Sequence, residues 1–300
     1  MPLLRSVAES LSNNELESGV IEEIIDRESL FATLPFMQVN NKAYLYNRES
    51  TPSEGAFVDP NEVVPEAASA VVEKVAKLKI LIGDVDVDKF LNSTMGDTNS
   101  QLGIQVQMKA KGLGRKFKRT LVNGDEGTNA KEFDGINQIC IDESREMDAG
   151  VNGAALDLAM LDELLDEVKN GADFLMMRSG TLRALKTLWR AAGGNTGGML
   201  QIENFGMMPA HDGTPIVVND FIPGDVTQGS NNDTCSIYAI RGNEVDGLTG
   251  LYGGETGGIV VENIGTVQNK DAIRTRLKFY CGLALKSTQS IMALRGITNI

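Results

Sequence analysis

Along most of the chain, apolar residues recur with one of two periods. Residues Asn14 to Arg27, NELESGVIEEIIDR, put Leu16, Val20, Ile21, Ile24 and Ile25 on one helical stripe, with glutamates around the rest. The longest helical pattern runs from about Thr98 to Val122, where Leu102, Val106, Leu113, Phe117 and Leu121 share a stripe. NGAALDLAMLDELLDEVKNGA predicts a second amphipathic helix that ends at Gly171. DFLMMRSGTLRALKTLWRAAGGNTGG reads as strand, turn, helix and glycine stop, with the Ser179 hydroxyl placed to cap the helix.

The other period is two. NNKAYLYNRE alternates around Tyr44 and Tyr46, and VVEKVAKLKILIGDVDVDKF continues as a long β-like run in which Asp84, Asp86 and Asp88 alternate with Val85 and Val87. Between them lies STPSEGAFVDPNEVVPEAASA, with Pro52, Pro60 and Pro65, several acids and little that can form a core. A connection this long is unusual inside a compact domain. The segments together predict two strands with a long tip, either reaching out as an arm or lying flat on their own domain. GTPIVVNDFIP, TCSIYAIRG and GGIVVENIG predict short strands between Gly/Asn/Asp turns. Near the end, Ile273, Thr275, Leu277, Phe279 and Cys281 share one face of a long strand, and Arg274, Arg276 and Lys278 the other. A last strand follows near Ile291 to Leu294. Strands and helices mix as in an α/β layer.

Two features break the pattern. Gly112 and Gly114 fall inside the long helix, each costing roughly 1 kcal/mol against alanine, and mark a place where it can bend. Around them stand Lys109, Lys111, Arg115, Lys116, Lys118 and Arg119, the densest basic patch in a chain of net charge −13. That patch is either a solvated face or a surface for a polyanion or for the acidic first helix. The acidic balance argues against whole-surface binding to duplex DNA.

The segment LVNGDEGTNAKEFDGI raises the question of chemistry. Read as a calcium loop from Asn123, it has Thr128 where the turn glycine belongs and Asp134 where the glutamate belongs, so it does not fit. No segment fits a phosphate-binding P-loop, and Gly112-Leu113-Gly114 is no dinucleotide fingerprint. The remaining reading is a turn, with Asn and Asp bonding their own backbone and glycine supplying positive φ. His211, the only histidine, reads as a loop residue without a role. Cys140, Cys235 and Cys281 are far apart and odd in number, which suggests reduced thiols. No secretory signal and no membrane-length apolar run is visible. No catalytic, cofactor-binding or metal-binding residues are expected.

Five segments in this order resemble the major capsid proteins of tailed bacteriophages with the Hong Kong 97-type fold. They are LFATLPFMQVNNKAYLYNRE, the basic helix closed by LVNGDEGTNAKEFDGI, FLMMRSGTLRALKTLW, GMMPAHDGTPIVVNDFIP and IRTRLKFYCGLALKSTQSIMALRGI. The resemblance implies an α+β fold with an N-arm (1–38) and an extended β-hairpin E-loop (39–82). It also implies a peripheral domain of long spine helix plus β-sheet (83–126 and 233–285) and an axial α/β domain (127–232 and 286–300). It implies that Arg48, Glu49, Pro52, Phe57, Pro60 and Pro65 reach a neighbouring subunit. Gly112 and Gly114 would be the spine-helix bend, and the basic patch would meet packaged double-stranded DNA or the N-arm. The partners implied are copies of itself in hexamers and pentamers, a portal, a scaffold that is either a separate protein or a domain since removed, and a decoration protein where one is used. The setting would be the virion capsid, assembled in the host cytoplasm. No signature for a covalent inter-subunit crosslink is legible. A related reading is an encapsulin-type nanocompartment shell; a distant one is a small-molecule α/β enzyme.

Overall fold

Burial on both faces of one sheet organises this molecule. The computed structural model describes residues 34–51, 55–60, 62, 63, 66, 70–89, 98–193, 197–202, 206–254 and 257–298. The helical pattern at Asn14 to Arg27 lies outside them. An eight-stranded sheet has the order β5(Glu146–Asp148), β15(Ile291–Ile297), β11(Asn231–Ile240), β6(Phe174–Met177), β9(Thr214–Val218), β8(Gly206–His211) and β7(Gly197–Ile202), with β10(Val226–Gln228) also on β11. Its central strands alternate between two cores. Phe174, Met176, Tyr238, Ile240, Ile291 and Ala293 point into one. Leu175, Met177, Ile237, Ala239, Met292 and Leu294 point into the other, beneath α3(Leu158–Asp166) and α4(Ser179–Ala191).

The first core continues under the long helix α1(Thr98–Asn123) and a five-stranded sheet. Its longest strand, β14(Ala272–Leu285), pairs with β4(Lys79–Asp88) along one edge and with β13(Val260–Thr266) and β12(Leu248–Gly253) along the other. β1(Phe36–Gln38) adds in parallel to β12. The predicted stripe of α1 is the buried one: Val106, Leu113, Phe117 and Leu121 are all nearly inaccessible. Phe117 meets Phe279 edge-on at 5.3 Å. The two predicted faces of β14 are also present. Its basic face is matched across the strands, with Arg274 bidentate on Asp86, Arg276 bidentate on Asp84, and Lys278 on Glu262.

The segment after α1 is a turn, but its glycines serve a different purpose from the expected one. Asp125 accepts from the Gly127 N–H at 2.7 Å and the Thr128 hydroxyl at 2.5 Å, as an Asx turn does. Gly124, Gly127 and Gly135 have no positive φ. Gly124 and Gly135 are needed because backbones touch there. A Cβ on Gly124 would strike the Phe133 and Thr120 carbonyls, and one on Gly135 would strike the Gly124 nitrogen. Gly135 N–H donates to the Gly124 carbonyl at 2.8 Å, and α2(Ile136–Asp142) starts there.

Three further expectations change. The helix expected from Asn152 begins only at Leu158, because Asp157 caps it and residues before it turn through Gly153 (φ +75°). Ser179 does not cap α4; its own N–H is capped by the Asp220 carboxylate at 2.9 Å. His211 is not in a loop but buried in β8.

α1 is continuous through Gly112 and Gly114. A Cβ on exposed Gly112 would meet nothing within 4 Å. Gly112→Ala is therefore expected to raise stability by about 1 kcal/mol. Gly124→Ala should lower it by about 3 kcal/mol or more through backbone overlap. Denaturant melts of the two variants check the opposite signs.

Candidate assembly surface

The ribbon that lacked a core in the sequence is built from β2(Ala43–Thr51) and β3(Ala70–Lys77), paired antiparallel with Tyr44 opposite Ala76 and Tyr46 opposite Lys74. It leaves the body at Leu78; Lys79 to Ile82, expected to belong to it, join β4 instead. Alternation gives the ribbon two faces. Tyr44, Tyr46, Arg48, Lys74 and Ala76 face the chain's own body. Leu45, Asn47, Glu49, Val71, Glu73 and Val75 face solvent, with Leu45 58% and Val71 61% exposed.

Two glutamates of the body clasp the ribbon, Glu143 on its inner face and Glu126 at its root. Glu143, which ends α2, accepts from Arg48 at 2.6 Å and Lys74 at 3.0 Å. Glu126, in the turn after α1, accepts from Lys77 at 2.8 Å and Lys79 at 3.1 Å. The Tyr46 hydroxyl donates to the Leu285 carbonyl at 2.6 Å, and Lys286 sits 5.0 Å over the Tyr44 ring. Burial pushes the Glu143 carboxyl up, but the hydrogen bonds from Arg48 and Lys74 outweigh it and hold the group below its ordinary value. The Lys77 and Lys79 hydrogen bonds hold Glu126 down in the same way.

Beyond the clasp the described residues of the ribbon stand exposed. Phe57 at the tip is fully exposed, Val63 is 87% exposed, and Pro60 is exposed. Glu49 lies on the outward face. Pro52 and Pro65 are outside the described residues. Of the residues expected to reach a neighbour, Arg48 is therefore engaged by its own chain, while Glu49, Phe57 and Pro60 are presented outward. Neither Glu126 nor Glu143 was singled out from the sequence. Their signal is only that Arg48 and Lys74 fall on one strand face, which calls for a carboxylate beneath.

The basic patch of α1 is on its surface: Lys109, Lys111, Arg115, Lys116 and Arg119 are exposed and Lys118 is half-buried. Part of it is already used. Lys116 pairs with Glu132, and the Arg119 guanidinium lies 5.7 Å over the Phe221 ring. Lys109 crosses β4 where Gly83 leaves room for it.

The groups that resemble catalytic ones are spoken for. The Trp189 indole N–H points at His211 Nδ1 at 3.4 Å, so Nδ1 accepts and the proton sits on Nε2, which donates to Asp162 at 2.9 Å. Burial pushes the Cys281 thiol up to about 12 and the Cys140 and Cys235 thiols upward as well, away from thiolate reactivity. Among the described residues no group of three or more His, Cys, Asp or Glu converges on a metal position.

No family model and no curated protein sequence matches the chain. Solved structures do. A holo-SrpI encapsulin complex from Synechococcus elongatus PCC 7942 superposes with a TM-score of 0.71 at 18% identity, over 90% of this chain and 87% of that one. The capsid of a native GTA particle gives 0.62 at 13%, over 90% of both. A structure from Mycobacterium phage Bobi gives 0.63 at 11%, over 89% of both. With these likenesses the chain carries the Hong Kong 97-type α+β fold, the architecture of capsid and encapsulin shells.

The clasp has a pH sign. Both carboxyls lie below the ordinary glutamate value of 4.5 in the folded chain. Their pairing stabilises the docked ribbon above that value and is lost as pH falls through the folded values. Ribbon amides should therefore exchange faster below pH 4.5, after correction for intrinsic rates. At neutral pH, Glu143→Gln should speed exchange in β2 and β3 by about tenfold and leave β6, β11 and β15 protected. Unchanged ribbon exchange would count against the clasp.

Proposed function

We propose that this chain is a major capsid subunit that assembles with copies of itself, as hexamers and pentamers, into an icosahedral shell around a double-stranded DNA genome. The observation that carries the reading is the ribbon. Its root is fixed to its own body, and its tip presents Phe57, Val58 and Val63 to solvent on a chain of shell-protein fold. Exposed aromatic and aliphatic side chains on an extended arm find burial on another molecule, and many such weak contacts act together in a closed assembly.

In this reading the exposed α1 row of Lys109, Lys111, Arg115, Lys116, Lys118 and Arg119 lies toward the contents or toward the acidic segment around Asn14 to Arg27. It offsets the repulsion between an acidic shell and DNA. Gly112 and Gly114 let α1 flex while the shell changes shape. A portal, a scaffolding protein and a decoration protein are the further partners, and the setting is a virion assembled in the host cytoplasm. The reading assigns no catalysis. A second reading is an encapsulin-type compartment, favoured by the SrpI likeness at TM-score 0.71.

Imaging the purified chain tests both. Closed particles are expected by negative-stain microscopy, and a monomer by sedimentation would sink both shell readings in favour of a small soluble enzyme. Neutralising Arg115, Lys116, Lys118 and Arg119 together should leave the fold intact and reduce nuclease-protected DNA in particles made during phage growth. Normal packaging by that variant would remove the role given to the row. Particles that take up a dedicated protein cargo and no DNA would favour the compartment.

A further inference from the structure

We propose that the outer faces of α3 and α4 are the two halves of a contact between copies of this chain, α3 of one copy against α4 of the next. The inference rests on the self-assembly reading above and names a surface for it.

Both helices turn their apolar rows into the same core: Leu161 and Leu164 from α3, Leu182, Leu185 and Trp189 from α4. Their outer rows are opposite in sign. α3, LAMLDELLD, exposes Asp162, Glu163 and Asp166 and has no base. α4, SGTLRALKTLWRA, exposes Arg183, Lys186 and Arg190 and has no acid. Within each helix these rows are unfavourable. Asp162 and Asp166 repel at a spacing of four, as do Lys186 and Arg190. Asp166 also stands at the helix end whose dipole disfavours it. The rows do not neutralise each other inside the chain. Among the described residues, Glu163, Asp166, Lys186 and Arg190 form no ion pair, and Asp162 is held by His211.

The choice of a second copy follows from having both rows. A polyanion would use α4 and leave α3 repelled; a basic partner would do the reverse. A second copy uses both, setting Glu163 and Asp166 against Lys186 and Arg190. Such a contact is either two-fold, each copy giving one row and receiving the other, or head-to-tail around a ring. Charge complementarity of this kind fixes register and suppresses wrong pairings.

A charge-swap series tests it, with folding checked by circular dichroism and melting. Glu163→Lys with Asp166→Lys, and separately Lys186→Glu with Arg190→Glu, should each lower the assembled fraction about tenfold at low salt. All four changes in one chain should restore it. Mixing the two defective chains should restore pairs and even-membered rings, because each then offers what the other lacks. One-sided variants that assemble like the unaltered chain would overturn the proposal, as would a four-fold variant that stays as defective as either pair while melting normally. If the unaltered chain forms no closed particle, the shell reading fails on its own. The same series read on smaller oligomers by sedimentation then decides the α3–α4 contact.

Discussion

A close approach of two glycines fixes how the halves of this molecule meet. Gly124 stops α1 by donating back to the Thr120 carbonyl at 2.7 Å, and Gly135 starts α2 by donating to Gly124 at 2.8 Å. No side chain fits in either place. The contact presses the end of a helix that roofs one sheet against the start of a helix that flanks the other. It also aims the ribbon. Glu126 sits in the turn between the two glycines and Glu143 at the far end of α2. Both carboxylates that clasp the ribbon are thus placed by the same piece of backbone. The segment that looked like a ligand loop does positional work: Asp125, Asn129 and Asp134 accept from its own amides, and Asn123 donates to the Phe221 carbonyl.

Much of this was legible because it rests on period. α1 is long and one-sided, and its predicted start at Thr98 and end at Val122 fall within one residue of the observed bounds. β14 alternates over many positions, so both its faces were readable. What was hidden depends on residues far apart in sequence or on burial from both sides. The cap of α4 comes from Asp220, forty-one positions beyond Ser179. His211 looked like a loop residue among Pro, Asp and Gly, yet β8 pairs with β7 around it and Trp189 and Asp162 close over it. β12, LTGLYG, was not among the strands read from the sequence, and its Gly250 is there because the Phe36 ring lies against its backbone. Of the candidate site, the basic row of α1 was visible in the composition, while the ribbon's pattern left an outward arm and a flat hairpin both open. Glu126 and Glu143 were not, since a carboxylate's partner across a fold leaves no periodic trace.

Charge is handled locally throughout. A chain of net charge −13 still matches Arg274, Arg276 and Lys278 with carboxylates on neighbouring strands, and Lys74, Lys77 and Lys79 with the two clasping glutamates. Surface pairs of this kind each contribute only about 0–1 kcal/mol. Their value here is placement: they settle which way a strand or ribbon lies once the cores have formed. Against that background the outer row of α4 stands out, because its Lys186 and Arg190 have no ion pair among the described residues.

Core and clasp also differ in how they respond to load. The buried strands β6, β11 and β15 give up packing on both faces if they shift, and close-packed interiors do not deform gradually. The ribbon's inner face gives up a few partly exposed ion pairs, the Tyr46 hydrogen bond and one small apolar cluster, in which Val39 and Ala76 pack with Leu251 and Ala284 beside Tyr44 and Tyr46, a lesser loss than either large core would bear. The ribbon and the body meet at Leu78, where β3 ends and β4 begins. The Leu78 amide is kept by a single bond to the Lys42 carbonyl at 3.0 Å. The ribbon's root is thus held by one small cluster and a set of ion pairs, and its described tip, where Phe57 and Val63 are exposed, by less still.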